Sequence, residues 1–452
     1  MCLTKNRKRW PPKPSVWVRV LQGLPYKIMW GKMNYIQKLI KAETTRQNNG
    51  IELIASENYP SSDVRKAMGS ILTCKYAEGY PNKRYYGGCK YIDEIENYAI
   101  KMACKLFKCK YANVQAHSGS QANAAAYRAL EVTLQKEGKL KEKEKMKILS
   151  MDLNSGGHLT HGSPVSFSSH LYNISFYPLG KDGRLDFDLI EKAIIKNKPH
   201  VILAGYSAYP YKIDFAKFKE LADKYDLKFM VDMAHIAGLV AADEHMSPIP
   251  YADIVTTTTH KTLRGPRGGL ILTNNADLIK RINSAVFPYY QGGPLEHIIA
   301  AKAICFEEAC KKEFKEYIKQ VIKNTRSFSD IMISFSKKKY DGIDICLQSE
   351  NHLTLLNTKK EFGLSGLEAQ KKLDEIGITT NKNMLPNDDE MPNVTSGLRI
   401  GFAALTTRGC NDEHVFEIAH IIHDYLSGQM SKRVATKRIS LITKELKSIN
   451  EL

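Results

Sequence analysis

The sequence predicts an α/β fold, with a large domain built on a mostly parallel central sheet and a smaller α+β domain at the C-terminal end. Three observations predict it. Short apolar runs, Val201 to Ala204, Leu227 to Val231, Ile254 to Val255 and Leu270 to Leu272, alternate with helical patterns such as Phe215 to Lys224. The 452 residues are too many for one small core. The 43% hydrophobic and 25% charged residues are those of an ordinary globular protein.

Taken in chain order, residues 1–30 read as a basic leader. No Asp or Glu precedes Glu43, whereas Lys5, Arg7, Lys8, Arg9, Lys13, Arg19 and Lys27 do, and all three tryptophans (Trp10, Trp17, Trp30) fall here. An acid-free basic leader is the pattern of an organelle transit segment, and the mitochondrion is the compartment it predicts. Residues 31–60 form an arm, with Ile36, Leu39 and Ile40 at helical spacing and then the apolar run Ile51 to Ala55. The large domain is placed at 61–314 and the small one at 315–452. Inside the large domain, Ile95, Tyr98, Ala99, Met102, Ala103 and Leu106 mark an amphipathic helix from Asp93 to Lys108. A second helix opens near Ser120 and runs to Gln135. Lys136 to Lys147 is nearly all Lys and Glu, a solvated extension.

Composition excludes several classes. No stretch of about 18 residues is continuously apolar, so no membrane span is predicted. The nine cysteines are odd in number and scattered, without a C-x-x-C pair, which fits a reduced compartment and predicts no metal site. A net charge of +18 attracts polyanions, but much of the excess lies in the leader and no nucleic-acid reader motif accompanies it. Nucleic acid is therefore not an expected partner.

Three features carry chemistry. Lys261 ends the run Thr256-Thr257-Thr258-Thr259-His260-Lys261 and precedes the glycine-rich turn Gly265-Pro266-Arg267-Gly268-Gly269. A lysine amine attacks carbonyls only when its environment depresses its pKa, which burial among cations does. Asp232 closes an apolar strand; a carboxylate at a pyridine nitrogen keeps that nitrogen protonated and the ring electron-accepting. His235 lies on the next turn. In His117-Ser118-Gly119-Ser120, small residues precede a helix, whose free N–H groups and positive dipole end suit a phosphate. Phosphate turn, Asp and Lys in that order predict an aminotransferase-like fold with Lys261 as the Schiff-base lysine of pyridoxal 5'-phosphate.

Longer motifs then narrow the reading. Leu53-Ile54-Ala55-Ser56-Glu57-Asn58, Tyr76-Ala77-Glu78-Gly79-Tyr80-Pro81, Arg84-Tyr85-Tyr86-Gly87-Gly88, Gly156 to Gly162, Ser207-Ala208-Tyr209, Asp232 to Gly238, Thr256 to Gly269 and Ser396 to Gly401 together resemble serine hydroxymethyltransferase, a family of fold type I. The likeness covers nearly the whole chain after about residue 35. It implies interconversion of serine plus tetrahydrofolate with glycine plus 5,10-methylenetetrahydrofolate, by a homodimer with shared sites, a tetramer being left open. It implies Lys261 as the cofactor lysine, Asp232 at the ring nitrogen and His158 stacked on the ring, with Ser207 and His235 beside it. The phosphate falls to Ser118, Gly119, Ser120 and His260, joined by Gly292 and Gly293 of the neighbouring subunit. Arg399 and Ser56 are implied for the substrate carboxylate side, Tyr76, Glu78 and Tyr86 reach in from the neighbour, and Glu78 is the proton-transfer group. Leu153, Leu159 and Asn383 match folate-contact positions, and Asn383 with the Glu78 block discriminates against a threonine aldolase.

The chain departs from the family pattern at three places. Ala116 stands where a proline usually precedes the phosphate turn, which is expected to loosen it slightly. Asn82 replaces a common glycine, tolerable if the position is left-handed. After Arg399-Ile400-Gly401 the family has Thr or Ala and then Pro, where this chain has Phe402-Ala403. A phenyl ring three residues from the clamp is expected to fill space near the carboxylate pocket. That expectation leaves an alternative, a low-activity paralogue acting as a partner or regulatory subunit.

Overall fold

The computed structural model describes residues 33–336, 339–340, 343–386 and 388–452. The leader and its tryptophans lie outside the described residues. Seven strands form the central sheet: β1 (Tyr111–Asn113), β2 (Lys147–Ser150), β3 (Asn173–Phe176), β4 (Val201–Ala204), β5 (Lys228–Asp232), β6 (Ile254–Thr258) and β7 (Gly269–Thr273). Their order is β1-β7-β6-β5-β4-β2-β3. The ladder from β3 through β6 is parallel, and β7 runs antiparallel to both β6 and β1.

Alternation along each strand divides its side chains between two cores. Ile202, Ala204, Phe229, Val231, Val255, Leu270 and Leu272 face one, into which the helices Lys90–Phe107, Phe215–Lys224 and Glu296–Ala309 pack. Val201, Leu203, Met230, Ile254 and Ile271 face the other, covered by the helices Gly119–Lys136 and Ala276–Ser284. Covered on both faces, these strands are continuous apolar runs, which is why they are visible in the sequence. Phe215–Lys224 has the bounds its pattern predicts, with Asp214 capping it by accepting from Lys217 N (3.2 Å). The amphipathic pattern at 93–108 is the Lys90–Phe107 helix, and the helix expected near Ser120 starts at Gly119. The Lys/Glu-rich stretch after Lys136 is mostly exposed and returns into β2.

Toward the C-terminus, a three-stranded antiparallel sheet of β8 (Leu353–Asn357), β9 (Asn381–Asn383) and β10 (Gly397–Gly401), in the order β8-β10-β9, packs with the helices Gly366–Asp374, Asp412–Leu426 and Lys432–Glu445. Ile51 and Leu53 belong to this smaller core. Ile51–Glu52 pairs in parallel with Ile378–Thr379, and Leu53 O accepts from Gly401 N (2.9 Å). The helix Lys312–Phe335 ties the cores together. Its Phe314, Ile318 and Val321 enter the larger one, and Phe328 and Met332 the smaller.

Residues 49–452 form one compact unit, and the described residues before 49 are not part of it. The helix Met33–Asn49 covers them and ends at that boundary; it leaves Tyr35, Ile36, Leu39 and Ile40 exposed. No helix among the described residues is long and apolar enough to cross a membrane.

Candidate active site

The parallel strands β4, β5 and β6 end on the same side of the sheet, where open α/β sheets bind ligands. Their ends deliver Ser207, Asp232 and Lys261 to a cavity of about 240 Å³. Ser118, Gly119 and Ser120 close it from the N-terminus of the Gly119–Lys136 helix, and His158, His235 and His260 complete its wall. Ser118 caps the helix by accepting from Gln121 N (3.2 Å). The N–H groups of the first turn have no intrahelical acceptor. A Cβ on Gly119 would lie 2.6 Å from Thr258 Cγ2, so glycine lets the turn press against the end of β6.

Hydrogen bonds hold the acid in place. Asp232 Oδ2 accepts from Asn123 Nδ2 (2.8 Å) and faces His161 Nε2 at 3.1 Å, while Oδ1 accepts from Ala234 N (3.0 Å). Burial alone would raise this carboxyl; the His161 hydrogen bond and charge, with Asn123, overcome it and hold the group well below the usual carboxylate range. Asn123 also donates to Thr160 Oγ1 (2.8 Å), whose hydroxyl meets His158 Nδ1 at 2.7 Å. His158 Nδ1 accepts from Thr160 N as well (3.2 Å), which assigns the ring proton to Nε2. Burial beside His161 pulls His158 down to about 4, so the ring is neutral at pH 7. His158, His161 and Asp232 offer ligand atoms within 4.8 Å of one another, but these hydrogen bonds already account for that arrangement.

Lys261 is 7% exposed, and its amine makes no hydrogen bond or ion pair among the described residues. Burial lowers its pKa to about 8, with Arg399 and Arg267 adding to the shift and Asp232 opposing it. A much larger share of this amine is uncharged at neutral pH than for an exposed lysine.

A second chamber of about 360 Å³ opens from the first across His158, Ser207, His235, His260, Lys261 and Arg267. Ser56, Arg399, Asn383, Leu153 and Leu159 line it. Arg399 sits on β10 opposite Asn381 of β9. Its Nε donates to Asn381 Oδ1 (3.2 Å), Nη1 to Ser207 O (2.7 Å) and Nη2 to Ser56 Oγ (3.4 Å). At 9% exposure it has no carboxylate partner among the described residues, and burial lowers it to about 10. A buried cation held by neutral oxygens attracts an anion, and a guanidinium fork suits a carboxylate.

Tyr76, Glu78 and Tyr86 line neither chamber. They cluster with Gly292 and Gly293. The Tyr76 and Tyr86 rings are 5.1 Å apart, and a Cβ on Gly292 would lie 3.2 Å from Glu78 Oε1. Tyr76 and Tyr86 are 55% and 44% exposed. Within one chain, then, the predicted residues fall into two groups, those that line the chambers and the group expected from a neighbour, which lines neither.

The three departures resolve differently. Asn82 has φ 62°, the left-handed conformation asparagine tolerates. Ala116 is fully buried, and its carbonyl accepts from Gly269 N (2.9 Å) and Lys302 Nζ (3.0 Å), bonds that hold the segment without proline. The expectation for Phe402 is corrected. Its ring is fully buried in the smaller core, 5.4 Å from that of Phe328, and borders neither chamber. Leu398, Ile400 and Phe402 all point into that core, whereas Arg399 points out of it. Three residues is an odd separation, which along an extended chain reverses the face.

The inner chamber fits pyridoxal phosphate. Among the described residues, Thr258 Oγ1 and His260 Nδ1 are buried there without a partner, next to the helix N-terminus that would take a phosphate. An ionised Asp232, a neutral flat His158 and a Lys261 amine of lowered pKa match the ring nitrogen, ring face and carbonyl carbon. This arrangement at the carboxyl end of such a sheet defines a fold type I pyridoxal-phosphate enzyme. More narrowly, the chain belongs to the serine hydroxymethyltransferase family, whose sequence pattern matches residues 32–422. It is 50% identical over 417 residues to a probable serine hydroxymethyltransferase of Rickettsia bellii, covering 91% of this chain and 95% of that protein. It is 51% identical over 418 residues to the serine hydroxymethyltransferase of Lactobacillus gasseri, covering 91% of this chain and 98% of that protein. It is accordingly a pyridoxal-phosphate-dependent transferase of one-carbon metabolism, with tetrahydrofolate as co-substrate.

Sequence reasoning missed several residues of the site. Arg267 borders both chambers, His161 and Asn123 hold Asp232, and His352 Nε2 lies 3.1 Å from His235 Nδ1. Arg267, His161 and Asn123 lie inside or beside the motifs quoted above, so a signal was present. Nothing local marks His352, which is 117 residues from its partner.

Proposed function

We propose that the two chambers carry out glycine hydroxymethyl transfer, moving the hydroxymethyl carbon of serine reversibly to tetrahydrofolate to give glycine and 5,10-methylenetetrahydrofolate. One observation carries this reading. The uncharged-prone Lys261 amine lies where the two chambers meet, with ionised Asp232 bordering one and the uncompensated Arg399 the other. When bound, pyridoxal phosphate supplies the electron sink for a carbanion at the amino acid's α-carbon. Lys261 attaches it, Asp232 keeps the proton on the ring nitrogen, and His158 covers the ring face. Arg399 grips the amino acid carboxylate with Ser56 alongside. Leu153 and Leu159 offer apolar walls to the folate, and Asn383 a polar contact.

Glu78 moves the proton between the serine hydroxyl and the folate nitrogen. It does so from a second copy of the chain, in a homodimer whose copies exchange Tyr76, Glu78, Tyr86, Gly292 and Gly293. That none of these residues lines either chamber within one chain supports the exchange. The basic leader, which precedes the family match at residue 32, supports a mitochondrial address; residues 1–30 fused to a fluorescent protein should carry it to that organelle, and diffuse fluorescence would refute the address. For the reaction, the purified protein should form methylenetetrahydrofolate only with serine, and borohydride should fix the cofactor on the peptide containing Lys261. Failure of both would overturn the reading.

A further inference from the structure

Beneath the phosphate turn lies a lysine with no part in the reaction as derived. Lys302, on the Glu296–Ala309 helix, is 1% exposed. Its ammonium donates to three carbonyls, Val114 O (2.6 Å), Ala116 O (3.0 Å) and Gly269 O (2.8 Å). All three protons are thus used, and no carboxylate lies within ion-pair distance among the described residues. Burial pulls the group downward, Glu96 opposes this from further away, and the three carbonyl acceptors favour the charged form.

The three acceptors are spread over the parts that must be in register for the cofactor to bind. Val114 follows β1, and Ala116 leads directly into His117-Ser118-Gly119. Gly269 begins β7 at the end of the loop that carries Lys261. The packing is close. A Cβ on Gly268 would lie 2.4 Å from Lys302 Cε, and one on Gly269 would lie 2.3 Å from Ser118 O. The phosphate turn therefore rests on the end of the Lys261 loop, and that loop rests on Lys302. The ammonium also acts on the turn electrostatically, since after burial its charge is the largest influence pushing His117 downward.

We infer that Lys302 is a positioning residue for the cofactor phosphate, clipping the phosphate turn to the Lys261 loop and holding a positive charge behind them. The inference rests on the reading of the inner chamber as a pyridoxal-phosphate site. It concerns the phosphate alone, and so separates from that reading. The test compares pyridoxal phosphate with pyridoxal, which lacks the phosphate, in titrations of the full chain stripped of cofactor.

Lys302→Met should weaken pyridoxal phosphate by about ten- to a hundredfold and pyridoxal by less than about threefold, as loss of a charge and its hydrogen bonds at the phosphate end requires. Thermal stabilisation of the stripped protein by inorganic phosphate should fall with it. Equal weakening of both ligands, or an unchanged ratio, would overturn the inference. If Lys302→Met does not fold, Gly268→Ala carries the test, because its methyl group displaces the flexible end of Lys302 and leaves the charge inside the fold. A selective loss of phosphate-dependent affinity there supports the inference, and an unchanged ratio overturns it. A wild-type protein that binds neither ligand would instead refute the site reading.

Discussion

Replacing Phe402 by threonine tests the corrected placement of this side chain. If Phe402 crowded the carboxylate pocket, Phe402→Thr would raise turnover. The structure requires the opposite balance. The ring is fully buried against Phe328, with Ile400 and Leu405 in the same core. Truncating a buried phenylalanine to alanine costs about 3–5 kcal/mol through lost transfer energy and the cavity left behind. Threonine refills part of that space but buries a hydroxyl, whose cost without a partner is about 1–3 kcal/mol. The two differences roughly offset, leaving a destabilisation of about 3–5 kcal/mol. Neither chamber is lined by this residue, so kcat should stay within about twofold of wild type where the protein is folded. Urea denaturation followed by circular dichroism, paired with steady-state kinetics, measures both. A higher kcat with an unchanged urea midpoint would refute the placement. Ala403→Pro alone should do little to the helix Ala403–Thr407, since it occupies the first helical position, where proline is tolerated.

Four other outcomes follow from the geometry. Arg399→Lys should raise KM for serine about a hundredfold while cofactor affinity holds, because one ammonium cannot reproduce the fork; an unchanged KM would remove Arg399 from the carboxylate site. The unprotonated Lys261 amine is the attacking form, so cofactor attachment should speed up as pH rises and level off above about 8. A plateau deferred to the range of an exposed lysine, about 10.4, would show that the amine is not buried as described. Mixing inactive Glu78→Gln with inactive Arg399→Ala chains should restore activity in hybrid dimers, one of whose sites is intact; persistent inactivity in verified hybrids would refute shared sites. Leu159→Ser should raise KM for tetrahydrofolate about tenfold, from lost apolar contact, and leave that for serine alone. Equal effects on both substrates would move Leu159 out of the folate wall.

Much of the site could be read from local chemistry because its parts are locally encoded. Ser118 marks its turn because a hydroxyl before a helix satisfies an otherwise orphaned N–H, and the cap is seen at Gln121 N. Asp232 stands out because a carboxylate ending an apolar strand needs partners, though not which; His161 and Asn123 are 71 and 109 residues away. Arg399 resembled a clamp by motif, yet its isolation from carboxylates, the property that makes it one, depends on Ser207 and Ser56, 192 and 343 residues distant. Phe402 was misjudged although its correction was within reach. Leu398, Ile400 and Phe402 alternate with Arg399, and that parity assigns the ring to the core.

By itself the sequence determined the α/β alternation, the order of phosphate turn, acid and lysine, and the family, because periodicity and motif are properties of neighbouring residues. Only the tertiary structure decided that Lys302 lies beneath the phosphate turn, that His352 meets His235, and that Glu78 lines neither chamber. Such contacts arise from how strands pair and helices cover them across hundreds of residues, and neither the period of a helix nor that of a strand encodes that pairing.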